Sequence, residues 1–182
     1  MRYLILLAFS IILVFSVNSC STNDDDDLGL DTSPNTFVAN LEGEAWNAVK
    51  KEAVLSNNYL TIYAEANNKT LVCLQIKLFN NEPVGKTYVM TNTSTHFASY
   101  DFSSRLDSLV YWTKNNPDPY GQSGDLELTK LDEGNKLVSG TFKFRAFNNH
   151  NSSDYQYFSQ GAFTDIRIVD SLSIDVWGQN EN

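Results

Sequence analysis

Two predicted loops combine aromatic rings with amide and carboxylate groups. They cover residues 114–124 (KNNPDPYGQSG) and residues 147–159 (FNNHNSSDYQYFS). Sugars and peptides are bound by such surfaces, because a ring contacts the apolar side of a ligand while polar groups orient it. Alternatively, the aromatics lie in a core or on a sheet surface, since strands are enriched in them. The candidate ligand-binding residues in and beside these loops are Tyr111, Trp112, Tyr120, Asn149, Asp154, Tyr155 and Tyr157.

The sequence contains no catalytic motif. Its two histidines, His96 and His150, have no metal-ligand spacing such as HExxH, and there is no Gly-x-Ser-x-Gly elbow or phosphate-binding glycine loop. A catalytic pair of carboxylates meets only in space, so sequence leaves that possibility open. We therefore predict a protein that is not an enzyme and that needs no metal and no cofactor.

Residues 1–19, MRYLILLAFSIILVFSVNS, have the pattern of a secretion signal. Arg2 supplies a positive charge, and the apolar run from Leu4 to Val17 is interrupted by only two serines. A bilayer-spanning helix needs roughly 18–20 apolar residues. The run is shorter than that, which favours a cleaved leader over a transmembrane anchor.

The leader ends in Val17-Asn18-Ser19-Cys20, which resembles a bacterial lipobox. The resemblance implies cleavage before Cys20, a diacylglycerol thioether on its sulfur and an acylated new amine. Two or three acyl chains would anchor the protein firmly, because each buried CH₂ contributes about 0.8 kcal/mol. Cys73 then has no partner for an internal disulfide, and we interpret it as an inert thiol.

Residues 20–35 form a predicted flexible, acidic tether. Four consecutive aspartates, Asp24 to Asp27, repel one another and keep such a segment extended. Acidic residues directly after a lipidated cysteine also resemble the export signal of surface-exposed lipoproteins of the Bacteroidota. That resemblance implies a location on the outer face of the outer membrane.

Size and charge limit the remaining possibilities. The 182-residue chain has a net charge of −9, and without Arg2 of the leader the mature chain has 12 basic and 22 acidic residues, or −10. Hydrophobic residues make up 42 %, so residues 36–182 can form a single globular domain, with 171–182 as a candidate loose tail. A negative field without a basic stripe repels polyanions, and we expect no nucleic-acid partner.

The apolar pattern after the tether repeats every second residue, as it does in strands. The clearest case is residues 138–146 (VSGTFKFRA), and residues 131–137 form a predicted hairpin loop before it. We predict an all-β domain of about ten antiparallel strands, either a β-sandwich or a flattened open β-barrel. Other predicted segments are a short helical stretch at 103–109 and two separate strands at 155–158 and 164–169.

Glycines at turns and apolar residues on strands form a series of motifs that together resemble a known family. The motifs are Phe37-x-Ala39-x-Leu41-x-Gly43-x-x-Trp46-x-Ala48, Val84-Gly85-x-Thr87-Tyr88, Gly124-x-Leu126-x-Leu128-x-x-Leu131, Val138-x-Gly140-Thr141-Phe142-x-Phe144 and Gly161-x-Phe163. In them the chain is similar to an uncharacterised family of Bacteroidota outer-membrane lipoproteins with a β-rich domain of unknown function. The resemblance implies the fold and the location and supplies no catalytic group.

Two tripeptides resemble the O-glycosylation sequon of Bacteroidota envelope proteins. They are Asp107-Ser108-Leu109 and Asp170-Ser171-Leu172, so Ser108 and Ser171 are candidate glycosylation sites. An intact mass from the native host that shows both serines unmodified would end this hypothesis.

These observations predict a lipid-anchored protein of the cell envelope that binds a glycan, a peptide or an envelope protein without catalysis. One alternative is a lipocalin-like carrier of a small apolar ligand, which needs a closed barrel with an apolar cavity. Another is a structural component of an outer-membrane complex. The three hypotheses share the anchor at Cys20.

We expect Cys20→Ala to abolish incorporation of a radioactive fatty acid into the protein, because no sulfur then remains at the cut site. Cys73→Ala, the control, should keep the label. Proteinase added to intact cells should digest the wild-type protein without lysis. Label that persists in Cys20→Ala would contradict the lipid anchor, and protection from proteinase would contradict surface exposure.

Overall fold

The computed structural model describes residues 33–79, 83–102 and 109–174. The predicted leader, Cys20, most of the tether and Ser108 lie outside these residues, as does nearly all of the helical stretch predicted at 103–109. The strands are β1 (Thr36–Leu41), β2 (Glu44–Ser56), β3 (Tyr59–Ala66), β4 (Thr70–Lys77), β5 (Thr87–Thr91), β6 (Phe97–Phe102), β7 (Leu109–Trp112), β8 (Gln122–Asp132), β9 (Leu137–Asn148) and β10 (Tyr155–Arg167).

Eight of these strands close into an antiparallel barrel. Their order is β10-β1-β2-β3-β4-β6-β7-β9, and β9 pairs back to β10 to complete the ring. The other two strands, β8 and β5, extend the sheet from β9. The predicted all-β class is confirmed. The sheet forms a closed eight-stranded barrel with two additional strands.

Strand β9 connects the ring to the additional strands because it is long enough to pair with three neighbours. One edge pairs with β10. The other edge pairs with β8 as far as Phe144 and then with β7 at Phe147. A single 3-10 turn, Thr113–Asn115, lies between those two pairings, where the Asn115 side-chain amide donates to the Phe147 carbonyl oxygen at 3.3 Å.

Aromatic side chains fill the interior of the barrel. The rings of Phe144 and Phe158 stack with their centroids 4.6 Å apart, and Tyr100 meets Phe158 edge-on at 5.1 Å. Phe37 lies 5.0 Å from Phe142. Burial of each such ring contributes about 1.5–3 kcal/mol, so these contacts form the main stabilising core.

Strand β10 is continuous from Tyr155 to Arg167, and the prediction of two separate strands at 155–158 and 164–169 was wrong. Irregularities in its pairing with β9 surround Gln160 and Asp165, whose φ angles are 48° and 52°. Each irregularity shifts the alternation of inward and outward residues while hydrogen bonding continues. The alternation of apolar and polar residues in the sequence is therefore interrupted although the strand itself continues.

The first part of the candidate loose tail is held against the barrel. The backbone N–H of Ser173 donates to Glu52 Oε2 at 2.6 Å, and the Ser173 hydroxyl bonds to the same carboxylate. The side chain of Ile174 is only 1 % exposed. Residues 171–174 are thus fastened to β2, and the rest of 171–182 lies outside the described ranges.

We expect Gly140→Ala to lower the free energy of unfolding by about 1–3 kcal/mol, because strand packing leaves no room for a methyl group. A Cβ at Gly140 would overlap the Glu127 carbonyl oxygen and lie 2.6 Å from Cζ of Phe163. Gly134→Ala is the control, since its nearest atom would lie at 3.6 Å. Chemical denaturation monitored by circular dichroism measures both, and equal midpoints would contradict the packing described.

Candidate functional site

Four neighbouring strands, β6, β7, β9 and β10, carry aromatic side chains on the outer wall of the barrel. Cross-strand partners point to the same face, so Trp112 opposite Phe147, and Phe147 opposite Tyr155, lie side by side. Phe97 stacks on Trp112 with centroids 5.4 Å apart, and Tyr157 follows Tyr155 on the same face. We call these five residues the aromatic strip.

Two cations lie over rings of the aromatic strip. The guanidinium of Arg145 is 4.7 Å from the ring centre of Tyr155 and 5.7 Å from that of Tyr157. Lys114 Nζ is 4.9 Å from the ring centre of Phe97. Such contacts contribute about 0.5–1 kcal/mol at exposed sites. Among the described residues, no carboxylate lies within ion-pair distance of either cation.

The strip is most accessible on β10. Tyr155 is 43 % and Tyr157 38 % exposed, whereas Phe97 and Trp112 are half-buried and Phe147 is buried. Phe147 lies 6.0 Å from Tyr155 and supports it from the neighbouring strand. A ligand would thus meet the two tyrosines and the guanidinium first.

Tyr111 and Asp154, both predicted to bind ligand, are hydrogen-bonded to each other at one end of the barrel. Tyr111 points inward and is buried, and its hydroxyl donates to Asp154 Oδ2 at 2.9 Å. The Asn148 side-chain amide donates to the same oxygen at 2.8 Å. Burial, followed by the neighbouring carboxylate, raises the pKa of Tyr111. These bonds hold the loop between β9 and β10 in place.

The other predicted residues lie on exposed loops. Tyr120 is 94 % exposed, and its backbone N–H donates to Asp118 Oδ1 at 3.0 Å, which holds the turn at the loop tip. No ring contact among the described residues joins Tyr120 to the aromatic strip. Asn149 is exposed and is fixed through its backbone N–H, which donates to the Val110 carbonyl oxygen at 3.1 Å. Ser171 is exposed as well.

Of the seven predicted residues, the structure therefore brings together three, Trp112, Tyr155 and Tyr157. Sequence reasoning missed Phe97, Lys114, Arg145 and Phe147. Arg145 and Phe147 do carry a sequence signal, because they follow Lys143 at every second position on the polar face of β9. Nothing in the sequence connects Phe97 to that face, since β6 and β9 are distant along the chain.

The histidines and the acidic groups form no metal site in the part of the chain that the structure describes, where no three metal-ligating side chains come together. His96 Nδ1 accepts a hydrogen bond from the Lys77 backbone N–H at 3.1 Å, and burial lowers its pKa. The backbone N–H of His150 donates to Asn148 Oδ1 at 2.8 Å. Within 33–79, 83–102 and 109–174, no helix has the length and apolar character to cross a membrane.

Cys73 is buried on β4 between two hydroxyl groups. Its side chain bonds to those of Tyr63 and Ser99, and burial raises its pKa to about 12. Burial, and to a lesser degree the adjacent thiol, likewise raises the pKa of Tyr63 to about 12. Since the thiolate is the reactive form, Cys73 should be inert while the domain is folded.

We expect Cys73 in a Cys20→Ala variant, where it is the sole thiol, not to react with Ellman's reagent at about pH 8 in the folded state. The thiol stays protonated because its raised pKa lies far above that pH. Unfolding in guanidinium should release one titratable thiol. A second variant that adds Ser171→Cys provides the control, since this exposed position should react before unfolding. Rapid reaction of Cys73 in folded protein would contradict its burial.

Comparisons with known proteins assign the domain to a family of unknown function. The model of a family described as a domain of unknown function (DUF6252) matches residues 33–167, which contain β1 to β10. No curated protein and no solved structure matches the chain significantly. Because the match covers more than half of the chain, this protein belongs to the DUF6252 family.

Proposed function

We propose that the protein is a lipid-anchored, non-enzymatic module of the bacterial cell envelope that binds its ligand through the aromatic strip. The observation that carries the proposal is the group formed by Tyr155, Tyr157 and Arg145, exposed side by side on two paired strands. Tyr and Arg are enriched among the residues that dominate binding energies. Their placement on strands holds them in a fixed geometry, which reduces the entropy lost on binding.

The position of the strip suits a protein tethered at its N-terminus. Thr36, where the domain follows the predicted tether, pairs with Thr164 near the end of β10. Tyr155 is the first residue of the same strand, nine residues before Thr164. A strand rises by about 3.3 Å per residue, so the two residues lie about 30 Å apart. An anchor at Cys20 would therefore leave Tyr155 at the far end of the barrel from the membrane attachment.

The acidic tether adds reach to this arrangement. Residues 20–35, fully extended, span roughly 50 Å. Mutual repulsion of Asp24 to Asp27 favours that extended form. The acidic run also resembles the signal that exports lipoproteins to the cell surface. Such export would present the strip to extracellular ligands.

The packed interior favours surface binding over the lipocalin-like carrier. A carrier needs an apolar cavity, whereas Phe144 and Tyr100 both pack against Phe158 inside the barrel. A structural role in an outer-membrane complex would use the same strip as a protein interface. Co-purification of a stable partner from membranes, lost in a Tyr155 variant, would favour that role.

We expect Tyr155→Ala and Trp112→Ala to weaken binding at least tenfold, measured on a glycan array with the purified full chain, because each removes a ring that a ligand would contact. Tyr120→Ala is the control, since it removes an exposed ring that contacts no ring of the aromatic strip among the described residues. A similar melting temperature must show that each variant is folded. Array binding that both alanine substitutions leave unchanged would contradict the proposed site.

A further inference from the structure

We propose that the ligand of the aromatic strip is an acidic polysaccharide, with Arg145 binding its carboxylate groups while sugar rings rest on Tyr155 and Tyr157. This inference rests on the proposed function and names the ligand class for the same site. Pyranose rings present an apolar face that suits an aromatic side chain. A carboxylate suits a guanidinium, which can bind it through two parallel N–H···O bonds.

The bonding of Arg145 differs from that of Lys143 and Lys130. On β9, Lys143 Nζ lies 3.5 Å from Asp125 Oδ2, and on β8, Lys130 Nζ lies 2.9 Å from Asp165 Oδ1. The guanidinium of Arg145 contacts two rings and no carboxylate among the described residues. Its N–H groups lie at the edge of the guanidinium plane, so contact with ring faces leaves donors for an incoming anion.

Two acidic groups beside the strip, Glu42 and Asp154, accept hydrogen bonds from other groups. Glu42 Oε1 accepts the Tyr157 backbone N–H at 2.6 Å. Asp154 Oδ2 accepts the Tyr111 hydroxyl and the Asn148 amide. Neither carboxylate neutralises the guanidinium at ion-pair distance.

The net charge of the domain opposes an anionic ligand much less than the net charge of the whole chain does. Residues 33–167 contain 12 basic and 14 acidic residues, a formal charge of −2, although the whole chain carries −9. Five of the remaining acids are Asp24 to Asp27 and Asp31, which lie in the tether. Charges farther than about 8 Å are largely screened at physiological ionic strength. The acidic tether therefore adds little repulsion at the strip.

The shape of the strip favours a polysaccharide over an acidic peptide. The strip crosses three inter-strand spacings, about 14 Å, with Lys114 near one end and Arg145 near the other. Repeated acidic sugars could reach both cations. β6, β7, β9 and β10 each pair on both sides, so they leave little free edge to which a peptide could add as a strand. Two cations are also too few for the many phosphate contacts of DNA.

The test compares three acidic polysaccharides, polygalacturonate, alginate and hyaluronan, with the methyl ester of each in affinity electrophoresis of the full chain. Wild type should bind at least one acid at least tenfold more tightly than its ester. Arg145→Gln should remove most of the preference for that acid, since only Lys114 then remains on the strip, and should leave ester binding unchanged. Arg145→Lys, which keeps the charge and loses the fork geometry, should bind with intermediate strength. Lys143→Gln is the control, because Lys143 is already paired with Asp125.

The outcomes separate this inference from the proposed function. Equal binding of acid and ester, weakened by Tyr155→Ala but not by Arg145→Gln, would overturn the acidic ligand and support the site. Binding to none of the three acids, or tighter binding to poly-glutamate, would overturn the acidic polysaccharide. Binding that no strip substitution alters would overturn both. Melting curves of the Arg145 variants, expected to match wild type closely, exclude unfolding as the cause.

Discussion

The pairing register between β9 and β10 determines both which residues form the core and which form the aromatic strip. Phe144 pairs with Phe158 inside the barrel, and the next pair, Arg145 with Tyr157, lies outside. Because alternate residues point to opposite faces, a slip by one residue would exchange these two sets. The stacking of Phe144 on Phe158 makes such a slip costly. The same ladder also closes the ring, so the barrel, its interior and its outer site depend on this pairing.

The outer site differs from the rest of the wall in how its charges are used. Elsewhere, exposed lysines such as Lys130, Lys136 and Lys143 pair with aspartates, contacts that contribute little because they are solvated and screened. Arg145 and Lys114 lie over aromatic rings instead. A cation over a ring is not neutralised and keeps hydrogen-bond donors for a ligand. A cation paired with a carboxylate has already used both.

Several polar residues that suggest binding in the sequence form hydrogen bonds within the protein. Tyr111, Asn148 and Asp154 bond to one another where β9 turns into β10. Asp118 holds the turn that exposes Tyr120. Loop residues rich in Asn and Asp satisfy backbone and side-chain donors locally, and this chemistry produces the same composition as a ligand site. Only the direction of each side chain separates the two uses.

The sequence by itself determined the all-β class and the hairpin at 131–137, because period-two alternation and turn residues act over a few neighbours. It also carries the prediction of lipidation at Cys20, which rests on the linear order of the leader. The tertiary structure alone decided the closed barrel, the unbroken β10 and the inward direction of Tyr111. It also assembled Phe97, Trp112 and Arg145 on one face. These depend on which distant strands pair and in what register, and local patterns contain no information about either.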